Sequence, residues 1–132
     1  MLLSLSGNPL TNVDPDTFKD LNNLQVLRMS YNQLTNIDPK LFNKLTNLQE
    51  LWLSYNQLSQ IDPNTFSGLS KLNELRLTSN QLTNIEMKTF NGLNNLKILD
   101  LRFNRLDLID PHTFDGLNNL QDCYFVRKPQ HD

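Results

Sequence analysis

Residues 24–47 read LQVLRMSYNQLTNIDPKLFNKLTN, and the reading of these 24 letters decides the fold. Leu27 and Met29 stand two apart with Arg28 between them, the alternation of a short strand with one face inward. Asn32 comes next, where a side-chain amide can satisfy the donors and acceptors of a tight buried turn. Asp38-Pro39 then places an N-cap carboxylate before a first-turn proline, which starts a short helix. Phe42, Leu45 and Leu48 follow at three-residue spacing, one face of a helical or 3₁₀ segment. Asn47, just before the next strand, suits a left-handed turn residue.

The same unit recurs along the whole chain with a period of 24 and no insertion or deletion. Asn8, Asn32, Asn56, Asn80 and Asn104 mark it, and so do Phe18, Phe42, Phe66, Phe90 and Phe114. Leucine columns begin at Leu3, Leu5, Leu10, Leu21 and Leu24, with Met29 the one substitution, and a Val13/Ile37/Ile61/Ile85/Ile109 column joins them. Of 27 Leu in 132 residues, 24 fall in these columns, while Ala is absent. The composition is a core written five times, and it weighs against helical bundles, which lean on Ala. Asp14-Pro15, Asp62-Pro63 and Asp110-Pro111 repeat the helix start, whereas the fourth unit has Glu86-Met87 and specifies it weakly. Asn23, Asn95 and Asn119 match Asn47, with Lys71 in the third unit.

Strand, turn, short helix, turn and a parallel strand one layer on describe a right-handed α/β solenoid. The pattern LxxLxLxxNxLxxIxxxxFxxLxxL, carried by residues 1–126, resembles the typical 24-residue class of leucine-rich repeat. That class is found mostly in extracellular proteins such as Toll-like receptors, Slit-like guidance proteins and variable lymphocyte receptors. The resemblance implies a curved solenoid, a concave parallel sheet with short helical or 3₁₀ segments on the convex side, and recognition of protein partners by the sheet. It also implies an extracellular or cell-surface location, with the cytoplasm as the alternative.

Several features depart from that class or narrow the function. Clustered cysteines of disulfide-bonded caps are missing, and no asparagine lies in an N-x-Ser/Thr sequon. Cys123 occupies the first strand-leucine column and Phe125 the next, so a sixth strand is expected before Lys128 and Pro129 end the pattern and residues 127–132 form a tail. Repeat arrays need polar terminal caps, so the chain is expected to be a piece of a longer protein. Homodimerisation through uncapped ends or the concave face is the alternative. The longest apolar run, Cys123 to Val126, is far short of the roughly 20 residues of a membrane span. Met1-Leu2-Leu3-Ser4 lacks the basic start and apolar stretch of a secretion signal. A net charge of −2 speaks against nucleic acid as a partner. No Ser-His-Asp, Cys-His, paired-carboxylate or phosphate-loop constellation appears, so no enzyme and no cofactor is expected. Cys123 reads as a small apolar core residue, His112 as solvent-facing, and the four Asp-Pro carboxylates as caps ahead of a calcium site.

Residues between the inward strand columns should face solvent on the concave side, together with the two before each asparagine. These 24 positions hold the only Trp, all three Tyr and four of five Arg, but none of the seven Lys. Trp, Tyr and Arg are the types enriched at interface hot spots, and Lys is depleted there. The expected partner-binding residues are Arg28, Tyr31, Glu50, Trp52, Tyr55, Glu74, Arg76, Asp100, Arg102, Phe103 and Tyr124. Arg28, Trp52 and Arg76 should form consecutive rungs of one stripe, with both guanidinium groups against the indole and the two glutamates beside them.

Overall fold

Six three-residue strands stack in chain order into one parallel sheet: β1 (Leu2–Ser4), β2 (Val26–Arg28), β3 (Glu50–Trp52), β4 (Glu74–Arg76), β5 (Ile98–Asp100) and β6 (Asp122–Tyr124). They belong to a computed structural model that describes residues 1–107 and 109–124. Each strand pairs with the equivalent residues of the next, so Leu3, Leu27, Leu51, Leu75, Leu99 and Cys123 form one rung-to-rung line. The sixth strand forms as expected; Phe125, Lys128 and the tail lie outside the described residues.

The strand columns bury completely in the middle of the stack. Leu27, Leu51, Leu75, Leu99, Met29, Leu53, Leu77 and Leu101 have no exposed surface. Each such side chain contributes on the order of 1.5–3 kcal/mol relative to exposure. Phe18, Phe42, Phe66 and Phe90 close the opposite side of the core, and the last rings stack: Phe66 on Phe90 at 6.4 Å and Phe90 on Phe114 at 6.0 Å. Leu3, Leu5, Leu10, Val13 and Leu21 at one end and Leu120 and Cys123 at the other are only partly covered, having a neighbour layer on one side. Burial pushes the Cys123 thiol upward, as does the Asp100 charge, which fits the core role read from its column.

On the convex side the chain is held by short turns, and Pro111–Phe114 is the one regular 3₁₀ helix among the described residues. Elsewhere single i→i+3 bonds follow one another: in the first unit Thr17 N–H donates to Asp14 O, Lys19 to Asp16, Leu21 to Phe18 and Leu24 to Leu21. The three-residue spacing of Phe18, Leu21 and Leu24 is the repeat of this turn chain. Asp14, Asp38, Asp62 and Asp110 each accept the N–H two residues on at 2.8 Å, which makes them caps. Without an aspartate, the fourth unit still closes its turn through Thr89 N–H on Glu86 O at 3.1 Å.

Two polar ladders tie the layers. Asn56 Nδ2 donates to Leu53 O and Ser54 O of its own turn and to Met29 O of the preceding layer, at 3.1, 3.3 and 3.0 Å, while its Oδ1 accepts Leu34 N–H at 3.0 Å. Asn32, Asn80 and Asn104 repeat this pattern. The second ladder lies at the other corner and was not foreseen. Asn47, Asn95 and Asn119 were expected to take the left-handed conformation, but among the described residues they are not the ones that do. Their amides donate to Asn22 O, Ser70 O and Asn94 O of the preceding layer at 2.6–2.7 Å, and Lys71 Nζ reaches Asn47 Oδ1 in the unit that lacks the asparagine.

Left-handed backbone falls instead in two other columns: Gly68, Gly92 and Gly116 on the turn side, at φ from +85° to +87°, and, just before the inner ladder, Gly7, Tyr31, Tyr55, Ser79 and Phe103, at φ from +57° to +78°. The bend before the ladder directs the N–H of Gly7, Tyr31, Tyr55 and Ser79 onto the carbonyl of Ser30, Ser54, Thr78 or Arg102 one layer on. A non-glycine residue there costs on the order of 1–2 kcal/mol, which the interlayer bonds offset.

Two expectations for stability follow from this arrangement. Asn56→Leu should lower unfolding free energy by about 1–3 kcal/mol, read as an earlier urea midpoint, because buried backbone groups lose their partners. The hydroxyls of Thr65, Thr89 and Thr113 are buried without a hydrogen-bond partner, and Leu41 sits buried in the same column. Thr65→Val should therefore be neutral or raise the melting temperature.

Candidate binding face

The register arranges the sheet's outer face as stripes. One runs Ser4, Arg28, Trp52, Arg76, Asp100, Tyr124, and a parallel one runs Leu2, Val26, Glu50, Glu74, Ile98, Asp122. Adjacent strands lie about 4.8 Å apart, so neighbours within a stripe touch. The Arg28 guanidinium carbon stands 4.2 Å from the Trp52 ring centroid and that of Arg76 5.8 Å, both in cation–π range. Arg102 covers the Tyr124 ring at 4.6 Å.

Charges on this face are unevenly matched. Arg76 Nε bonds Glu74 and its Nη1 lies 3.6 Å from Asp100 Oδ2. Arg102 grips Asp100 with both ends of its guanidinium, Nη2 at 2.7 Å and Nε at 3.0 Å, and with its own backbone N–H at 3.1 Å. Among the described residues, neither Arg28 nor Glu50 has an ion-pair partner. Asp100 is 1% exposed, so it acts from beneath the surface by fixing Arg76 and Arg102. Burial opposes its ionisation, yet the side-chain and backbone bonds from Arg102, its charge and the Thr78 hydroxyl hold the carboxyl below the usual range.

A second pair of stripes borders the first. Tyr31 and Tyr55 stack with ring centroids 4.5 Å apart and planes within 6°, and Phe103 follows two layers on; all three are exposed, Phe103 by 67%. Ser30, Ser54 and Thr78 were expected to face solvent but are buried, because the turn that precedes the ladder folds inward there. Ser54 Oγ accepts the Thr78 N–H at 3.1 Å. The face forms a hollow of about 520 Å³ whose walls include Arg28, Trp52, Tyr31, Tyr55, Arg76 and Arg102. All the expected contact residues therefore stand on or beside one sheet face, Glu50 and Glu74 in the companion stripe. His112 stands apart on the turn side, exposed and paired with Asp115 at 2.8 Å, which raises its pKa.

The leucine-rich repeat family model matches three overlapping stretches, residues 1–58, 27–82 and 70–123. The chain belongs to the leucine-rich repeat family. Solved leucine-rich repeat structures superpose closely along nearly its whole length. The Drosophila Toll–Spatzle complex gives a TM-score of 0.90 at 30% identity, covering 94% of this chain and 16% of that one. A TLR13–ssRNA13 complex gives 0.89 at 30% identity over 93% and 17%. The octameric assembly of Latrophilin 3, Unc5D and FLRT2 gives 0.86 at 31% identity over 92% and 37%. The chain thus spans a sixth to about a third of the length of these relatives. A search of curated proteins returned no significant match. Leucine-rich repeats of this kind serve as interaction modules in the assemblies named.

Ionised Asp100 stabilises the fold through Arg102 and Arg76. A carboxyl held low in the folded chain binds fewer protons there than when unfolded, so its contribution is present above about pH 4 and is lost as pH falls further. Asp100→Asn should lower the melting temperature at pH 7, and the gap from the parent chain should narrow below about pH 4.

Proposed function

We propose that this leucine-rich repeat array is a protein-recognition module of a receptor-like or secreted protein, and that it binds its partner on the concave sheet. The observation that carries this reading is the Arg28–Trp52–Arg76 stack with the exposed Tyr31–Tyr55 pair beside it. A large rigid aromatic surface held by cation–π contacts has little side-chain entropy left to lose on binding, which is what hot-spot residues supply. Exposed apolar residues scattered singly need no explanation, whereas a contiguous aromatic patch marks an interaction site. Asp100 and Glu74 serve this surface by fixing the two arginines. Relatives whose structures are complexes with protein ligands support the same direction. A broad open sheet face suits recognition of a partner surface.

The test is selection of displayed extracellular protein domains on the immobilised chain. Trp52→Ala and Arg76→Ala should each weaken a selected partner by about tenfold or more, the size of a hot-spot loss, with melting temperature nearly unchanged for Trp52→Ala and lowered for Arg76→Ala by no more than for Asp100→Asn. Lys88→Ala, on the turn side, should leave binding intact. Parallel loss of fold and binding, or equal sensitivity to Lys88→Ala, overturns the assignment.

A further inference from the structure

We propose that Arg28 is a carboxylate-recognition point of the concave face, taking an acidic side chain of the protein partner. The inference rests on the recognition function proposed above and names the chemistry of what is recognised. Three arginines stand on the described part of this face, and two are matched: Arg76 with Glu74 and Asp100, Arg102 with Asp100. Arg28 has no carboxylate partner among the described residues. Its neighbours across the sheet are Ser4 on one side and Trp52 on the other.

The local geometry is that of a donor held ready. Trp52 lies 4.2 Å below the guanidinium and fixes its plane. Arg28 Nε and Trp52 Nε1 are both sealed from solvent and neither bonds a protein atom, so this pair is desolvated without the hydrogen bonds that the other two arginines make. With Nε covered, the Nη groups are the end of the fork a ligand can reach. Ser4, Ser6 and Tyr31 also line the hollow and, beside Arg28 in the first two layers, supply neutral hydroxyls. A planar guanidinium in this setting fits a carboxylate through two parallel N–H···O bonds.

Charge across the face selects a single carboxylate over a polyanion. Arg28, Arg76 and Arg102 meet Glu50, Glu74, Asp100 and Asp122 on the strands and their edges, a net of one negative charge. A phosphate chain laid along the stripes from Arg28 meets Glu50 and Glu74 in the companion stripe, whereas an isolated acidic side chain docks on Arg28 alone. This contrasts with the requirement of nucleic-acid binding for a run of unpaired cations.

Selection of a random displayed peptide library on the full chain tests the proposal, with peptides sorted by whether Trp52→Ala abolishes their binding. Trp52-dependent peptides should carry an Asp or Glu at a fixed position. Arg28→Gln, or exchange of that acid for its amide in the peptide, should weaken binding by about tenfold or more. The peptide exchange uses the unaltered chain, so its reading is independent of how the Arg28 variant folds. Trp52-dependent peptides without an acid, or unaffected by Arg28→Gln, overturn this inference and leave the recognition function standing. Peptides insensitive to Trp52→Ala overturn both. A single-stranded RNA oligonucleotide bound through Arg28, with no acidic preference among peptides, also overturns it.

Discussion

From the second layer on, each inner asparagine amide bonds its own turn and the layer before it, and the rest of the molecule is arranged so that this pair of bonds can be made. Asn56 donates to Met29 O across the gap and to Leu53 O within its own turn, and it accepts from Leu34 N–H. The strand must stop after three residues so that the chain can bend over the amide. The bend in turn sets the residue before the asparagine in the left-handed region, and every layer must be the same length for the rungs to meet. The invariant period of 24 is the sequence expression of that constraint. A second set of amides, from Asn47, Asn95 and Asn119, repeats the device at the opposite corner.

With the backbone fixed in this way, the face of the sheet is free to specialise. Leucines and phenylalanines supply the stability, and the outward stripes carry the aromatic and charged groups. Asp100 joins the two levels: a carboxylate lying under the surface, it sets the pose of two arginines that stand on it. Stacking of Arg28 and Arg76 on one indole does the same for Trp52. The outward face of the sheet is therefore stiff, and the affinity of the proposed interface depends on fit more than on adaptation.

Strand columns, the inner ladder, the phenylalanine line and the aspartate caps were all legible in the sequence, because each rests on a spacing that identical layers enforce. The stripe Arg28–Trp52–Arg76 was legible for the same reason. Other features depend on which backbone conformation a turn adopts, and residue type obscured them. Tyrosine and phenylalanine in a left-handed column give no warning; Gly7, their counterpart in the first layer, was the available signal. Asn47 looked like the left-handed residue because asparagine tolerates that region, although its amide was needed across the gap. Burial of Ser30, Ser54 and Thr78 follows from the same bend. Ion pairing was not legible either. Glu50 and Glu74 occupy one column, yet only Glu74 pairs with an arginine, because the choice is made among side-chain rotamers that spacing does not specify.

The left-handed column beside the inner ladder bears on how such a protein can change. Its backbone conformation is imposed by the layers above and below, and the same bend accommodates glycine, tyrosine, serine and phenylalanine in successive turns. Side-chain identity there is uncoupled from the architecture, while the residues themselves stand at the border of the sheet face. The column is a row of interchangeable fittings, so the chemistry along this border can be revised one layer at a time without renegotiating the scaffold.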